Sequence, residues 1–562
     1  MRRTERSELD RSVEVLRTRK DGWARLSVPR RIALARDCAR ETLAVSPEIV
    51  AAACAAKGLD PASPVSGEEW LAGPVAILRN IRLLVDTLSA IERGGSPDLP
   101  PGSVRRLPDG RLAVNIFPRG LFDRVMFPGT TIDVWMQPGV TESNLRETMG
   151  GAYRRAAGGA VALVLGAGNV ASIGPMDVLH KLFVENHVVV LKMHPVNDYL
   201  GPLIERAFRP LAGEGYLRVV YGDVEEGQYL VHHPGIDEIH MTGSAAVHDR
   251  IVWGETEDEQ ARRRAGYDPK VSKRVTSELG CVTPVVVVPG EWSGGELDYQ
   301  AENVATMVAN NASCNCNAAK LLVTWRGWPQ RGVFLDRVSA ALSGLPARRG
   351  YYPGSAKRHA TFTSHPRART LAGAAPDALP YATIYDVDPA RAGDIVFQQE
   401  AWCPVVAETA LDASDDAAFA EAAAPFCNDR VAGTLSAVVL ASAPSQARLG
   451  DAFERMIAGL AYGTIAVNHW AAASYVLAVA PWGAYPGHTL QDVGSGIGFV
   501  HNTLMFDRPQ KSVLRGPFVQ SPKPAWFSTH RRGHVVARRM AAFEASPSVW
   551  RLPGLAIAAA RP

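Results

Sequence analysis

The sequence predicts an α/β protein centred on a doubly wound parallel sheet, with helices and a hairpin before it and a second α/β region after it. Three observations predict this. From about residue 145, short apolar runs at 161–165, 188–191, 217–221 and 238–241 alternate with helical segments at 176–184, 202–211, 228–232 and from 245 onward. That interval is the one βαβ units have, and such units assemble a parallel sheet that binds ligands at the carboxyl ends of its strands. A fresh apolar run, 284–288, opens a second such region. Ahead of both, Asp109-Gly110 lies between the runs 104–106 and 112–116, a tight-hairpin signal.

Composition narrows the function classes. A chain of 562 residues is too long for one ordinary core and suggests two to four domains. Hydrophobic residues at 47% and charged residues at 21% are ordinary for a soluble globular protein. The net charge of +3, from 60 basic and 57 acidic residues, argues against nucleic acid as a partner. Apolar runs such as 188–191 and 471–480 fall short of the ~18 residues a membrane helix needs, so no membrane association is expected. The charged start Met1-Arg2-Arg3-Thr4-Glu5 lacks the apolar core of a secretory signal. The seven cysteines are scattered and odd in number, which suggests reduced thiols and a cytoplasmic location.

In chain order, residues 1 to about 100 read as helices: 30–43, then 47–56 after a break at Pro47, then 71–91 ending at Gly94-Gly95. A Pro/Gly connector, 97–102, leads into the hairpin. Two glycine loops follow strands of the central sheet. Gly166-Ala167-Gly168-Asn169 has the spacing of a dinucleotide fingerprint but no evident acidic partner about twenty residues on. Thr242-Gly243-Ser244 opens a helix, where backbone N–H groups favour an anion. Glu278 stands just before the strand 284–288, and Glu400 sits in Gln399-Glu400-Ala401-Trp402-Cys403-Pro404. A carboxyl partly desolvated by such neighbours is a candidate general base. The segment after 520 is basic and without period, and it reads as a solvated or partner-wrapping extension.

The stretch richest in chemistry is Asn310-Asn311-Ala312-Ser313-Cys314-Asn315-Cys316-Asn317, between a helix-like segment and the strand-like run 321–323. A thiol on a polar turn is expected to be exposed and reactive. Three readings stand at this point: a nucleophilic cysteine, half of a metal site, or two incidental thiols. No metal is expected, because structural zinc wants four ligands and no second Cys/His pair has suitable spacing.

In this order, these segments resemble the aldehyde dehydrogenase superfamily, from about residue 30 to about 505. The resemblance rests on Val190-Leu191-Lys192, on 233–244 ending Met241-Thr242-Gly243-Ser244, on Glu278-Leu279-Gly280-Cys281-Val282-Thr283-Pro284, and on Glu400-Ala401-Trp402-Cys403-Pro404-Val405. It implies a Rossmann-type nucleotide-binding domain, a second α/β catalytic domain and a β-hairpin oligomerisation arm. The corresponding divisions are 1–103 (helical part of the nucleotide domain), 104–137 (arm), 138–275 (dinucleotide binding), 276–470 (catalytic), 471–519 (return to the nucleotide and oligomerisation region) and 520–562 (extension). By the same resemblance a cysteine attacks the aldehyde, hydride passes to NAD or NADP, and water activated by Glu278 releases an acid. Asn169 is then an oxyanion donor, which displaces the simple fingerprint reading of its loop. Lys192, Gly243, Ser244 and Glu400 hold the nucleotide, with Gly168 and Leu279 beside it. A homodimer or homotetramer is also implied.

Three departures matter. The family's Gly-Gln-x-Cys is not intact: an ungapped match puts Asn315 in the nucleophile's place, a one-residue shift gives Cys316, and Cys314 is the second choice. Pro195 stands where an acidic residue often meets the adenosine 2′-hydroxyl, which leaves room for the 2′-phosphate of NADP. His194-Pro195 is similar to the branch that releases its thioester to coenzyme A, whereas Glu278 favours release to water. Besides hydrolytic oxidation, the sequence therefore admits a coenzyme-A-acylating enzyme and a catalytically silent binding protein.

Overall fold

The computed structural model describes residues 2–154, 158–371 and 377–560. In chain order its principal strands begin with β1 (Val104–Arg106), β2 (Leu112–Phe117) and β3 (Thr131–Met136). Next come β4 (Val161–Leu165), β5 (Val188–Lys192), β6 (Leu217–Val220), β7 (Glu238–Thr242) and β8 (Arg274–Glu278). After these are β9 (Thr283–Val287), β10 (Ala319–Trp325), β11 (Ala368–Thr370), β12 (Ala382–Val387) and β13 (Val405–Leu411). The last are β14 (Ser436–Leu440), β15 (Thr464–Val467), β16 (Gly496–Ile497) and β17 (Pro509–Arg515).

Five of these strands form the doubly wound sheet expected from the alternation. They pair in parallel in the order β8-β7-β4-β5-β6, and β16 runs antiparallel along the β8 edge. The strand order changes direction between β4 and β7, so a crevice opens between the loops that leave them. The valine-rich strands fit a sheet covered on both faces, and every residue of β5 is buried. The helix Arg6–Ala24 buries Leu9, Val13, Leu16 and Trp23 on this sheet.

The second sheet has 11 strands in the order β1-β2-β3-β17-β15-β14-β9-β10-β13-β12-β11. Strands from β17 to β12 run parallel, and antiparallel strands close both edges. The hairpin forms as its Asp-Gly turn predicts: Gly110 has φ +84° and the Leu107 amide donates to the Arg111 carbonyl at 2.8 Å. It is continuous with this sheet through β3, and β1 is its edge strand.

The structure differs from the sequence expectations at four places. The break at Pro47 is absent, and one helix runs Val28–Lys57. It packs against the helices Ala76–Gly94 and Gly201–Ala207, and Ser46 Oγ bonds the Thr42 carbonyl one turn back; this packing outweighs the amide Pro47 lacks. The helix expected at 202–211 is two, Gly201–Ala207 and Arg209–Gly213, divided at Phe208. The segment after 520 is folded rather than a solvated extension. Its helix Gly533–Ala545 packs against the helices Gly67–Trp70 and Ala76–Gly94, so closely that a Cβ on Gly67 would lie 2.8 Å from Gly533 backbone. Finally, the cysteine turn is buried: Cys314 is 0% exposed and Asn311 4%.

Candidate active site

The carboxyl ends of β4, β7 and β8 face the amino ends of β9, β10 and β13 across a cleft of about 330 Å³. Leu165, Thr242 and Glu278 come from one side, and Gly280, Cys316, Glu400 and Trp402 from the other. The cleft lies at the strand-order reversal, where doubly wound sheets place their ligands.

The turn before β10 is strained. Asn311, Ala312 and Ser313 all have φ between +52° and +65°, and each non-glycine residue there costs about 1–2 kcal/mol. A polar network holds it. The Asn311 side chain donates to the carbonyls of Asn169 and Cys314 and to Asn315 Oδ1, and it accepts from the Tyr351 hydroxyl. Lys57, paired with Glu69 at 2.7 Å, donates to the same Asn169 carbonyl. Lys320 then fastens the outgoing chain through the carbonyls of Asn315, Cys316 and Ala318.

This geometry separates the two thiols. Cys316 lines the cleft, and its thiol donates to Glu278 Oε1 at 3.3 Å. Burial, with the nearby carboxyls of Glu278 and Glu400, raises the Cys316 pKa well above the ordinary thiol value. The Cys314 sulfur is turned away, toward the Ala312 and Trp402 carbonyls and Ser355 Oγ, and burial raises it to about 11. All seven cysteines are unpaired.

Glu278 ends β8 with its carboxyl buried. Desolvation lifts its pKa to about 7 and the Asp177 carboxylate adds to the rise, while the Trp482 indole, the Cys316 thiol and His240 oppose it. A carboxyl poised near neutrality beside a thiol is equipped to move protons. Asn169 lies on the cleft wall, and its side-chain amide donates to the Cys314 carbonyl at 2.9 Å. That bond uses one of two N–H groups and leaves the second for another acceptor.

The remaining predicted residues converge with one exception. Lys192 ends β5 on the cleft; burial depresses its pKa, and Asp223 and Glu226 partly offset that. Gly243 and Ser244 line the cleft at the start of the helix Ala245–Val252, with Ser244 Oγ accepting from the Val247 amide. Leu279 is also on the wall. Glu400 pairs with Lys320 at 3.3 Å and packs on Gly280, where a Cβ would come within 2.3 Å of its carboxylate. Only Gly168 stands off the wall, tucked against His194 and Val196.

From end to end the cleft suits an extended ligand. Val224 and Val247 expose apolar side chains at the Lys192 end, 57% and 43% accessible, as walls for a flat ring. The helix start at Gly243-Ser244 suits an anionic middle. The far end holds Cys316, Glu278 and Glu400. Asp177 and His240 carry no motif and are missed in the sequence. Their signal was a lone carboxylate in an apolar helix and a histidine in an apolar strand.

Residues 152–353 match the model of the aldehyde dehydrogenase family. N-succinylglutamate 5-semialdehyde dehydrogenase of Novosphingobium aromaticivorans is 28% identical over 164 residues, 29% of this chain and 31% of that protein, so the match spans under a third of the relative. Likeness of fold is far more extensive. The NAD-dependent aldehyde dehydrogenase of Sinorhizobium meliloti superposes with a TM-score of 0.58 at 18% identity, over 93% of this chain and 88% of that one. A Mycobacterium tuberculosis aldehyde dehydrogenase complexed with NAD+ gives 0.61 at 17% over 93% and 92%. The NADP-dependent glyceraldehyde-3-phosphate dehydrogenase of Bacillus halodurans gives 0.61 at 16% over 92% of each chain. Residues 152–353 thus carry a sequence segment similar to the aldehyde dehydrogenase family, and nearly the whole chain shares the fold of solved aldehyde dehydrogenases.

Proposed function

We propose that the chain oxidises an aldehyde to a carboxylic acid with NAD or NADP, through a thioester on Cys316. The observation that carries this reading is the Cys316 thiol hydrogen-bonded to Glu278 at one end of a cleft whose other end suits a nucleotide. A nicotinamide dinucleotide bound there supplies the hydride acceptor. Lys192 at the adenosine end, the Gly243-Ser244 helix start and Glu400 would hold it.

Cys316 Sγ bonds to the aldehyde carbon as the thiol proton passes to Glu278. The second N–H of the Asn169 amide and the Cys316 backbone N–H serve the developing oxyanion. After hydride loss the acyl carbon remains on sulfur as a thioester. Glu278, once it has shed the first proton, takes one from water as the water oxygen bonds to that carbon. The C–S bond then breaks, the acid leaves, and the expelled Cys316 thiolate takes back the proton that Glu278 drew from water. Cys316 and not Cys314 has the required access. The open backbone edge of β1 supports assembly into a dimer or tetramer.

The test is nicotinamide reduction on an aldehyde panel, with NAD or NADP, each with and without coenzyme A. Turnover without coenzyme A is expected, and it is expected to favour NAD, because the Asp223 carboxylate on the cleft wall beside Lys192 would repel a 2′-phosphate. Turnover only with coenzyme A would move the chain to the acylating branch, and none with any pair would support a silent binding protein. The pH profile carries a second expectation. Glu278 accepts protons only when ionised, and its pKa is raised to about 7, so kcat should rise through about pH 7 and fall on the acid side. Glu278→Gln should abolish that limb together with thioester hydrolysis.

A further inference from the structure

The proposed function asks Glu278 to take two protons per turnover, from the thiol and then from water, and to release the first before it accepts the second. Its cleft side is then covered by substrate and nucleotide. A polar row leads away behind it. Strands β7 and β8 pair with His240 opposite Thr276 and Thr242 opposite Glu278. Alternation along each strand therefore puts Glu238, His240 and Thr242 on the same face as Arg274, Thr276 and Glu278. A buried parallel strand ordinarily carries apolar side chains at such positions.

The helix Ile173–Leu179 and its continuation His180–Val184 add Asp177 and Lys181 to that face. Asp177 Oδ2 lies 3.4 Å from Thr242 Oγ1 and 3.6 Å from His240 Nε2. His240 Nδ1 is 2.9 Å from Thr276 Oγ1, which accepts from Lys181 Nζ at 3.4 Å. Lys181 pairs with Glu185 at 2.7 Å and Glu238 at 2.8 Å, and Glu238 meets His187 Nδ1 at 3.0 Å. The row reaches solvent at Arg274, whose side chain is 58% exposed, beside the partly exposed Glu185 and His187. Its inner end is unusual. Asp177 is 0% exposed and its Oδ1 meets no hydrogen-bonding partner among the described residues, an arrangement that costs stability. His240 Nε2 is likewise without a hydrogen bond.

We propose that this row is a proton path between Glu278 and the surface, with Asp177 and His240 as its first carriers and Glu185, Glu238 and His187 as its outlet. Each group takes one proton and passes one on. The Glu278 carboxyl gives its proton to the hydroxyl of Thr242, its neighbour across the strand pair, as that hydroxyl's own proton passes to the Asp177 carboxylate, which gives one to His240 Nε2. The Nδ1 proton moves to Thr276 Oγ1 as the threonine hydroxyl proton goes to Lys181, which has yielded one to Glu185 or Glu238. Nothing is oxidised or reduced. The titratable groups facing Glu278 and this inner segment are Asp177, His180 and Lys181 from the helix, His240 from β7, Cys316 from the turn, and Tyr475 and His501 from the C-terminal part.

The path rests on the proposed function, so its test has one arm that needs no aldehyde. Asp177→Asn and His240→Gln are prepared in the full chain, with thermal melting to confirm folding. In steady state both are expected to lose about tenfold or more in kcat at little change in KM. The first-turnover burst of reduced nicotinamide should remain, and small permeant buffers such as imidazole or formate should restore the rate. Separately, iodoacetamide alkylation of Cys316 is followed from pH 5 to 9. Its inflection, set by Glu278, should move to lower pH in Asp177→Asn, because a neighbouring negative charge is gone. A kcat within twofold of the parent in both variants overturns the path, as does a loss that buffers do not restore. If the parent oxidises no aldehyde, the proposed function fails and the alkylation arm decides alone: an unmoved inflection rejects the path and a lowered one supports it.

Discussion

Cys316→Ala is expected to abolish aldehyde oxidation, with a loss on the order of 10⁴-fold or more, while Cys314→Ala keeps turnover within a few-fold of the parent. The contrast follows from where the two sulfurs point. Cys316 Sγ is on the cleft wall 3.3 Å from a carboxyl oxygen able to take its proton. Cys314 Sγ is fully buried among the Ala312 and Trp402 carbonyls and Ser355 Oγ, with no route to a substrate in the cleft. Removing it leaves a small void and costs about 1 kcal/mol or somewhat more. The measurement is burst and steady-state nicotinamide reduction for both variants, beside alkylation mapping of the parent. Activity surviving in Cys316→Ala but lost in Cys314→Ala would reverse the assignment. Activity surviving in both would remove the thioester route altogether.

Much of this arrangement was legible in the residues. The alternation after 145 gave the parallel sheet because each βαβ unit leaves its own periodic trace. The two glycine loops and Glu278 fell where they do because a site at strand ends requires those turns. The cysteine turn was legible in identity but not in burial. Its small polar residues suggest exposure, and they are instead enclosed by Lys57, Glu69, Asn169 and Tyr351, brought from well over 100 positions before and some tens after in the chain. No local pattern announces partners at that separation. The same holds for Asp177 and His240, whose role depends on the register of two strands and one helix. The segment after 520 misled for a related reason. Its arginines and prolines resemble a solvated tail, and the apolar residues that anchor it, Val536, Ala537, Ala541 and Phe543, are few and pack on helices far earlier in the chain.

That anchoring has a large expected effect. Glu544→Ala should destabilise the protein by about 3–5 kcal/mol, the cost of stranding a buried charge. Glu544 is 1% exposed and accepts from Arg79 Nη1 at 2.8 Å and Arg82 Nε at 2.7 Å. Arg79 is equally buried and spans to Asp123 at 2.9 Å and the Leu477 carbonyl at 2.8 Å, so one guanidinium joins four parts of the chain. Without Glu544, Arg79 keeps one carboxylate and Arg82 loses its buried partner. Glu544→Gln retains acceptor and shape at one oxygen and should cost about half as much or less. A paired Arg79→Met/Glu544→Leu variant should not recover the loss, because it strands the buried Asp123 carboxylate that Arg79 also holds. Chemical denaturation of the three variants checks this. A solvated or loosely held segment after 520 would instead leave Glu544→Ala indistinguishable from the parent, and the burial of its helix against Gly67–Trp70 would then be irrelevant to stability.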